Sequence, residues 1–376
     1  MKILRWLIIA IVILLTLPAE AAETSCGVPT NIGDGWEVAR LSQSGFDSKR
    51  LCDILNNIAG REQNLHGLVI ARHGRLVAEL YRSGSDELPY HLFSTHRDFD
   101  ATTLHDMRSV GKSVVGLLVG IASQQGKIGD PSTPVLSYYP ELVNLVTPEH
   151  KAITLAHLLT MSSGLEWHED GSFPDDENRL LWKWSPYDYV LSRSVTAQPG
   201  EEFHYNSGGT AVLANIIERT TGTSFNDFAR INLFEPLGIT DWEWTKDFHG
   251  RTRVYDGLRM RPRDLAKIGS MMVNHGKWHD RQIVPENWIA ASLQPWIATG
   301  FDDTGYGYQW WTGSTEWHGR KLAWSAAFGR GSQRLFVIPE LDMTVVVTAG
   351  TYDEELQIAA ERINALFKEI ISTVRE

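Results

Sequence analysis

The first apolar run, Leu7 to Leu17, carries no charge and follows Lys2 and Arg5. Ala19-Glu20-Ala21 then offers a small-x-small cleavage site, so residues 1–22 read as a signal peptide. The run is short for a membrane span, and membrane contact is expected only if the segment stays uncleaved. Residues 23–45 look irregular. From Phe46 to Ala59 the side chains Leu51, Ile54, Leu55 and Ile58 recur at helical spacing. His66–Ala71 and Leu76–Tyr81 are β-type runs around Arg72-His73-Gly74-Arg75, a hairpin pattern. Polar residues 83–106 read as a loop leading into an apolar helix that runs through Ser113–Ala122.

Helical patterns dominate the middle of the chain: Ile153–Met161, Pro186–Ser194, Thr210–Thr220, Ser224–Leu233, Pro262–Val273 and Glu286–Leu293. Strand patterns return at Gly307–Trp311, Lys321–Ser325, Gln333–Ile338 and Met343–Thr348. Asp353–Ile371 closes the chain as an amphipathic helix. Strands at both ends and helices between them predict an α+β fold. One antiparallel sheet would be built from residues 23–108 and 296–376, flanked by helices, with a mostly helical domain, 109–295, inserted. No internal repeat or low-complexity segment interrupts this order.

The chain has 376 residues, 43% hydrophobic and 22% charged, which suits one or two ordinary globular domains. A formal charge of −11 argues against a partner held by its phosphates, nucleic acid or anionic lipid. Fourteen tryptophans is a high count, and core packing and loop anchoring are expected to occupy most of them. Two cysteines, Cys26 and Cys52, cannot form a zinc site alone, and there is no H-E-x-x-H. His275 and His279 flank Gly276 at a helix end and are read as structural or solvent-facing. No metal and no organic cofactor is expected. Export to an oxidising compartment would allow a Cys26–Cys52 disulfide, tying the N-terminal arm to the first helix.

The sharpest chemical signal is Ser109-Val110-Gly111-Lys112, where the apolar helix begins. Positions i and i+3 share a helix face. A serine hydroxyl becomes a useful nucleophile when a neighbouring base takes its proton, and a lysine amine in an apolar setting can do so. The helix N-terminus would add backbone N–H groups and a positive dipole end for an oxyanion. No other serine in the chain has lysine three residues on. Tyr205, in Phe203-His204-Tyr205-Asn206-Ser207-Gly208-Gly209, is the candidate partner. Near a lysine ammonium its pKa could be lowered, which would let it act as base and later as acid. Asn206 and Ser207 could bond Lys112 or a substrate carbonyl. A third stretch, Phe328-Gly329-Arg330-Gly331-Ser332-Gln333, precedes a strand, and its glycines would let a substrate backbone approach.

In this order the three motifs resemble those of the penicillin-recognising serine hydrolase superfamily, on its class C β-lactamase side. The similarity extends over roughly residues 40–370, including Ile153–Leu165, Gln198-Pro199-Gly200 and Gly257–Ala266. The resemblance implies Ser109 as acylated nucleophile, Lys112 as its base partner and Tyr205 as proton shuttle. It places Arg330-Gly331-Ser332 as the basic motif on an edge strand, with Gln333 giving the second oxyanion N–H. It also implies a bacterial periplasmic location. Two positions depart from the pattern: Ser207 stands where the lactamases usually have Asn, and Arg330 where they have Lys or His. Arg reads carboxylates through a planar fork and does not replace Lys simply. The segment Trp182–Tyr189 is more similar to the esterase and aminohexanoate-oligomer hydrolase branch.

The expected activity is therefore hydrolysis of a small-molecule ester or amide through an acyl-enzyme on Ser109. β-Lactam or D-Ala peptide hydrolysis ranks second, and a non-catalytic penicillin-binding or sensor role third. A conventional α/β-hydrolase is disfavoured because no G-x-S-x-G elbow occurs.

Overall fold

The computed structural model describes residues 26–61, 64–87, 94–142, 146–171 and 173–375. The expected signal peptide, residues 1–22, lies outside the described residues. Strands from both ends of the chain meet in one nine-stranded sheet. They are β1 (Glu37–Val38), β2 (Leu65–Arg72), β3 (Arg75–Tyr81), β4 (Ile297–Ala298), β5 (Gly305–Tyr306), β6 (Trp311–Trp317), β7 (Arg320–Gly329), β8 (Gln333–Ile338) and β9 (Met343–Ala349). The order is β1-β3-β2-β9-β8-β7-β6-β5-β4. Every neighbouring pair is antiparallel except β1 with β3, which is parallel.

Alternation along the central strands divides the core into two layers, because successive side chains point to opposite faces. Leu335, Val337 and Val346 face one cluster, which holds Val114 and Leu118 of helix α2 (Val110–Gln124). That cluster also holds Val212 and Ile216 of α3 (Ser207–Thr221) and Leu265 of α4 (Pro262–Val273). Phe336, Ile338, Val345 and Val347 face the other, against Leu51 and Leu55 of α1 (Ser48–Arg61) and Ile363 and Phe367 of α5 (Leu356–Ile371). Residues 110–122 of α2 are all buried, as expected of a helix that is apolar all round. Ser109 thus opens a helix running through the middle of the molecule, under the sheet.

The long helices and central strands stand close to their sequence patterns, while short elements differ. Residues 83–106 hold strands at Gly84–Asp86, Thr95–Arg97 and His105–Asp106. The last of these pairs with Leu258–Met260, a partner so distant in sequence that no local pattern announces it. The strand expected at Gly307–Trp311 begins only at Trp311. The helix expected over Ser224–Leu233 is α-helical only for Phe225–Ala229, then widens into a π-turn at Arg230–Phe234.

Cys26 and Cys52 are joined in a disulfide, with Cα atoms 5.4 Å apart. His275 and His279 are exposed in turns, and among the described residues no group of His, Cys, Asp and Glu is arranged to hold a metal. Among the described residues, no helix is long and apolar enough to cross a membrane.

Candidate active site

Ser109 occupies the N-cap position of α2 with φ −63° and ψ −6°, and its hydroxyl makes no capping hydrogen bond. One turn on, the fully buried Lys112 donates from Nζ to Ser109 Oγ at 2.8 Å and to the Tyr255 carbonyl at 3.1 Å. Glu177 Oε1 lies 3.9 Å from the same nitrogen. Lys112 Nζ also sits 4.9 Å from the centroid of the Tyr205 ring. The serine, lysine and tyrosine singled out in the sequence therefore meet at one point.

Tyr205 approaches from the loop that enters α3, and its hydroxyl interacts with the Ser109 side chain. Its pKa, however, is raised well above the ordinary value, contrary to the lowering that a nearby ammonium suggests. Burial is the first cause, and the carboxyls of Glu169, Glu177 and Asp256 add to it, outweighing the hydrogen bond with Ser109. Tyr205 is held as a phenol. Its ring stacks near Trp311, which contacts Phe203, Tyr306 and Phe328, so one wall of the site is aromatic.

A second group beside Lys112 is acidic and was not legible from the motifs. Ser207 Oγ donates to Glu169 Oε1 at 2.7 Å and lies 2.9 Å from Glu177 Oε1. The Ser207 N–H and the Trp167 indole N–H both reach Glu169 Oε2, at 2.9 and 2.8 Å. The Glu177 carboxyl is pushed up to about 8, first by burial and then by Glu169, against the attraction of Lys112. A hydroxyl donates one proton, and a protonated Glu177 can supply the other. Ser207 is thus engaged with two carboxyls and makes no hydrogen bond to Lys112. Asn206 caps α3, accepting from the Gly209 N–H at 3.0 Å, while its buried Nδ2 has no protein partner among the described residues. The acidic run Asp175-Asp176-Glu177 after Pro174 was a readable helix-start signal, but not one that says which carboxyl turns inward.

The third motif differs from expectation in its setting. Arg330-Gly331-Ser332 is the turn of the β7–β8 hairpin, and both strands are interior to the sheet, not at its edge. Gly329 is the residue that reaches the nucleophile segment: a Cβ there would lie 2.4 Å from the Met107 carbonyl and 3.2 Å from Arg108 Cβ. Arg330 is exposed, and a Cβ at Gly171 would lie 3.5 Å from its Nη1. Ser332 takes φ +67° and its hydroxyl bonds Thr351 Oγ1 at 2.7 Å. Gln333 is fully buried, and its side-chain amide donates to the Gly331 and Ala349 carbonyls at 3.0 and 2.6 Å. Its side chain braces the turn.

A family model described as Beta-lactamase matches residues 57–366. The chain is 26% identical over 333 residues to the 6-aminohexanoate-dimer hydrolase of Paenarthrobacter ureafaciens, covering 81% of this chain and 79% of that one. Among solved structures it is similar to a family VIII carboxylesterase, with TM-score 0.65 and 15% identity over 85% of this chain and 97% of that one. A class C beta-lactamase gives TM-score 0.65 and 13% identity over 88% of this chain and 98% of that one. At these identities the two structural likenesses speak for the fold alone.

Proposed function

Because the chain belongs to the beta-lactamase family, we propose that it is an exported serine hydrolase that cleaves a small-molecule ester or linear amide through an acyl-enzyme on Ser109. The observation that carries this reading is the 2.8 Å contact between Lys112 Nζ and Ser109 Oγ, with the Tyr205 phenol beside both. Attack forms a bond from Ser109 Oγ to the carbonyl carbon as the serine proton passes to Lys112 Nζ, acting as general base. The carbonyl π electrons move onto oxygen, facing the N-terminus of α2, where backbone N–H groups and the dipole favour negative charge. Collapse of this intermediate breaks the bond to the leaving group, which takes a proton from the Tyr205 phenol. Lys112 then returns the proton to Tyr205. Water repeats the sequence on the acyl-enzyme and releases the acid.

The raised pKa of Tyr205 supports its role as the acid of this cycle, with Lys112 as base. Linear esters and amides rank ahead of β-lactams and D-Ala peptides because Ser207, at the position usually held by Asn, bonds Glu169 and Glu177. The N-terminal apolar segment and the Cys26–Cys52 disulfide support export to an oxidising compartment such as a bacterial periplasm. The test is labelling with a fluorophosphonate probe, followed by assay on p-nitrophenyl esters and a chromogenic cephalosporin, with Ser109→Ala as control. Labelling with ester turnover is expected. Fast cephalosporin turnover would reverse the ranking of substrates, and no labelling would sink the hydrolase reading.

A further inference from the structure

Arg108, immediately before the nucleophile, has φ +48°, a left-handed conformation that residues other than glycine, asparagine and aspartate seldom adopt. Its side chain is 15% exposed and is held on three sides. Nε pairs with the Oδ2 of Asp106, whose side chain is fully buried. Nη2 donates to the Glu87 carbonyl at 2.7 Å. The guanidinium carbon lies 4.7 Å from the centroid of the Tyr352 ring. An arginine that served only solubility would not be tied down on three sides beside a backbone of this shape.

Tyr352 connects this cluster to the other half of the site. Gly331, at φ +77°, packs on its ring so closely that a Cβ would lie 2.2 Å from Cε1. Gln333 Nε2 reaches the Tyr352 hydroxyl at 3.4 Å while bonding the Gly331 and Ala349 carbonyls. On the near side, Gly329 abuts the Met107 carbonyl and Arg108 Cβ. Arg108 thus adjoins Ser109 through one peptide bond and the Gly329–Gly331 backbone through Tyr352. Sequence distance separates these pieces by more than 200 residues, so side-chain contacts must set their spacing.

We infer that Arg108 is a positioning residue for acyl transfer: the Asp106–Arg108–Tyr352 stack fixes Ser109 relative to the Gly329–Gly331 backbone, which packs against the residues just before it. This rests on the serine hydrolase reading above. A small misplacement of reacting groups costs rate far more than binding, since a shift of about 1 Å can lower turnover about 10²-fold. A purely structural stack would instead change thermal stability and leave the chemistry alone.

The test compares wild type with Arg108→Met, Arg108→Lys and Tyr352→Leu at pH 8. Thermal unfolding, kcat and KM on a p-nitrophenyl ester, and the rate of Ser109 labelling by a fluorophosphonate are measured for each. Arg108→Met and Tyr352→Leu are expected to lower kcat and the labelling rate by about 10²-fold, with KM within about 3-fold of wild type. Arg108→Lys, which keeps the charge but loses the planar fork, should recover about 10-fold of that loss. The double variant Arg108→Met/Tyr352→Leu should be little worse than either single one, because both break the same stack. Should Arg108→Met fail to fold, Tyr352→Leu and Arg108→Lys carry the same comparison. Folded variants whose kcat and labelling stay within 2-fold of wild type, roughly the spread of neutral substitutions, overturn the inference while the hydrolase reading stands. A wild type that neither labels nor turns over ester overturns that reading and the inference with it.

Discussion

Lys112 Nζ and Ser109 Oγ lie 2.8 Å apart on the same face of one helix, and the lysine is buried among groups that hold it there. The Tyr255 carbonyl, Glu177 and the Tyr205 ring fix the amine on its other sides. Lys112→Met, which keeps most of the volume, should therefore lower kcat by about 10²–10⁴-fold, the usual worth of a positioned general base. Lys112→Arg should not rescue it, because a guanidinium does not release its proton. Tyr205→Phe should cost about 10²-fold or more, most with poor leaving groups, because the acid of the cycle is then missing. Ester turnover on activated and unactivated leaving groups checks both, with circular dichroism to confirm folding.

Glu177 gives a pH dependence of stability whose sign can be worked out. Burial first, then Glu169, push its carboxyl up to about 8, against Lys112. The folded protein therefore keeps a proton that the unfolded chain releases in the ordinary carboxyl range. That contribution to stability is fully present below the unfolded value and is lost as pH rises through about 8. Tm should fall between pH 5 and pH 9. Glu177→Gln, which mimics the protonated form, should flatten that fall and be relatively more stable at pH 9. Thermal melts of the two proteins across this range check it. A fall of equal size in both would remove Glu177 as the cause.

Gly329 touches the nucleophile segment so closely that an added methyl has nowhere to go. A Cβ would meet the Met107 carbonyl at 2.4 Å and Gln333 Cβ at 3.1 Å, neither of which is the end of a flexible chain. Gly329→Ala should destabilise by about 1–3 kcal/mol, the usual cost of overpacking. It should also reduce ester turnover more than Tm alone explains, because relief of the clash must move the residues just before Ser109. Denaturant unfolding and kcat, measured on the same preparation, separate the two effects.

What the sequence made legible was whatever local pattern controls. The Ser109–Lys112 pair was readable because i, i+3 spacing on a helix is a local rule, and the Tyr205 loop because a helix start follows it. The central strands were readable because Gln333–Ile338 and Met343–Ala349 are near-continuous apolar runs buried on both faces. What escaped depends on contacts between distant segments. Glu177 owes its raised pKa to burial and then Glu169, and Tyr205 owes its own to burial and then three carboxyls, none of which spacing reveals. The strand at His105–Asp106 exists only through its pairing with Leu258–Met260. The edge-strand expectation failed for the same reason: a hairpin pattern shows where a turn lies, not which strands flank it in the finished sheet.

The Cys26–Cys52 bridge separates stability from chemistry. It closes a span of 26 residues and ties the N-terminal arm to α1. Chain-entropy arguments assign such a loop about 3.5 kcal/mol. Helix α1 packs on the sheet face opposite α2, in the cluster with α5, so the bridge sits on the far side of the core from Ser109. Cys26→Ser/Cys52→Ser, or reduction of the wild type, should therefore lower Tm by several degrees while kcat and KM at 25 °C stay within about 2-fold, as for sites with no shared partners. Intact mass with and without thiol alkylation shows whether the bridge is present in the purified protein. A reduced protein with unchanged Tm would show that the arm is held by its packing instead, through Arg263 to the Thr30 carbonyl and Trp36 to the Arg263 carbonyl.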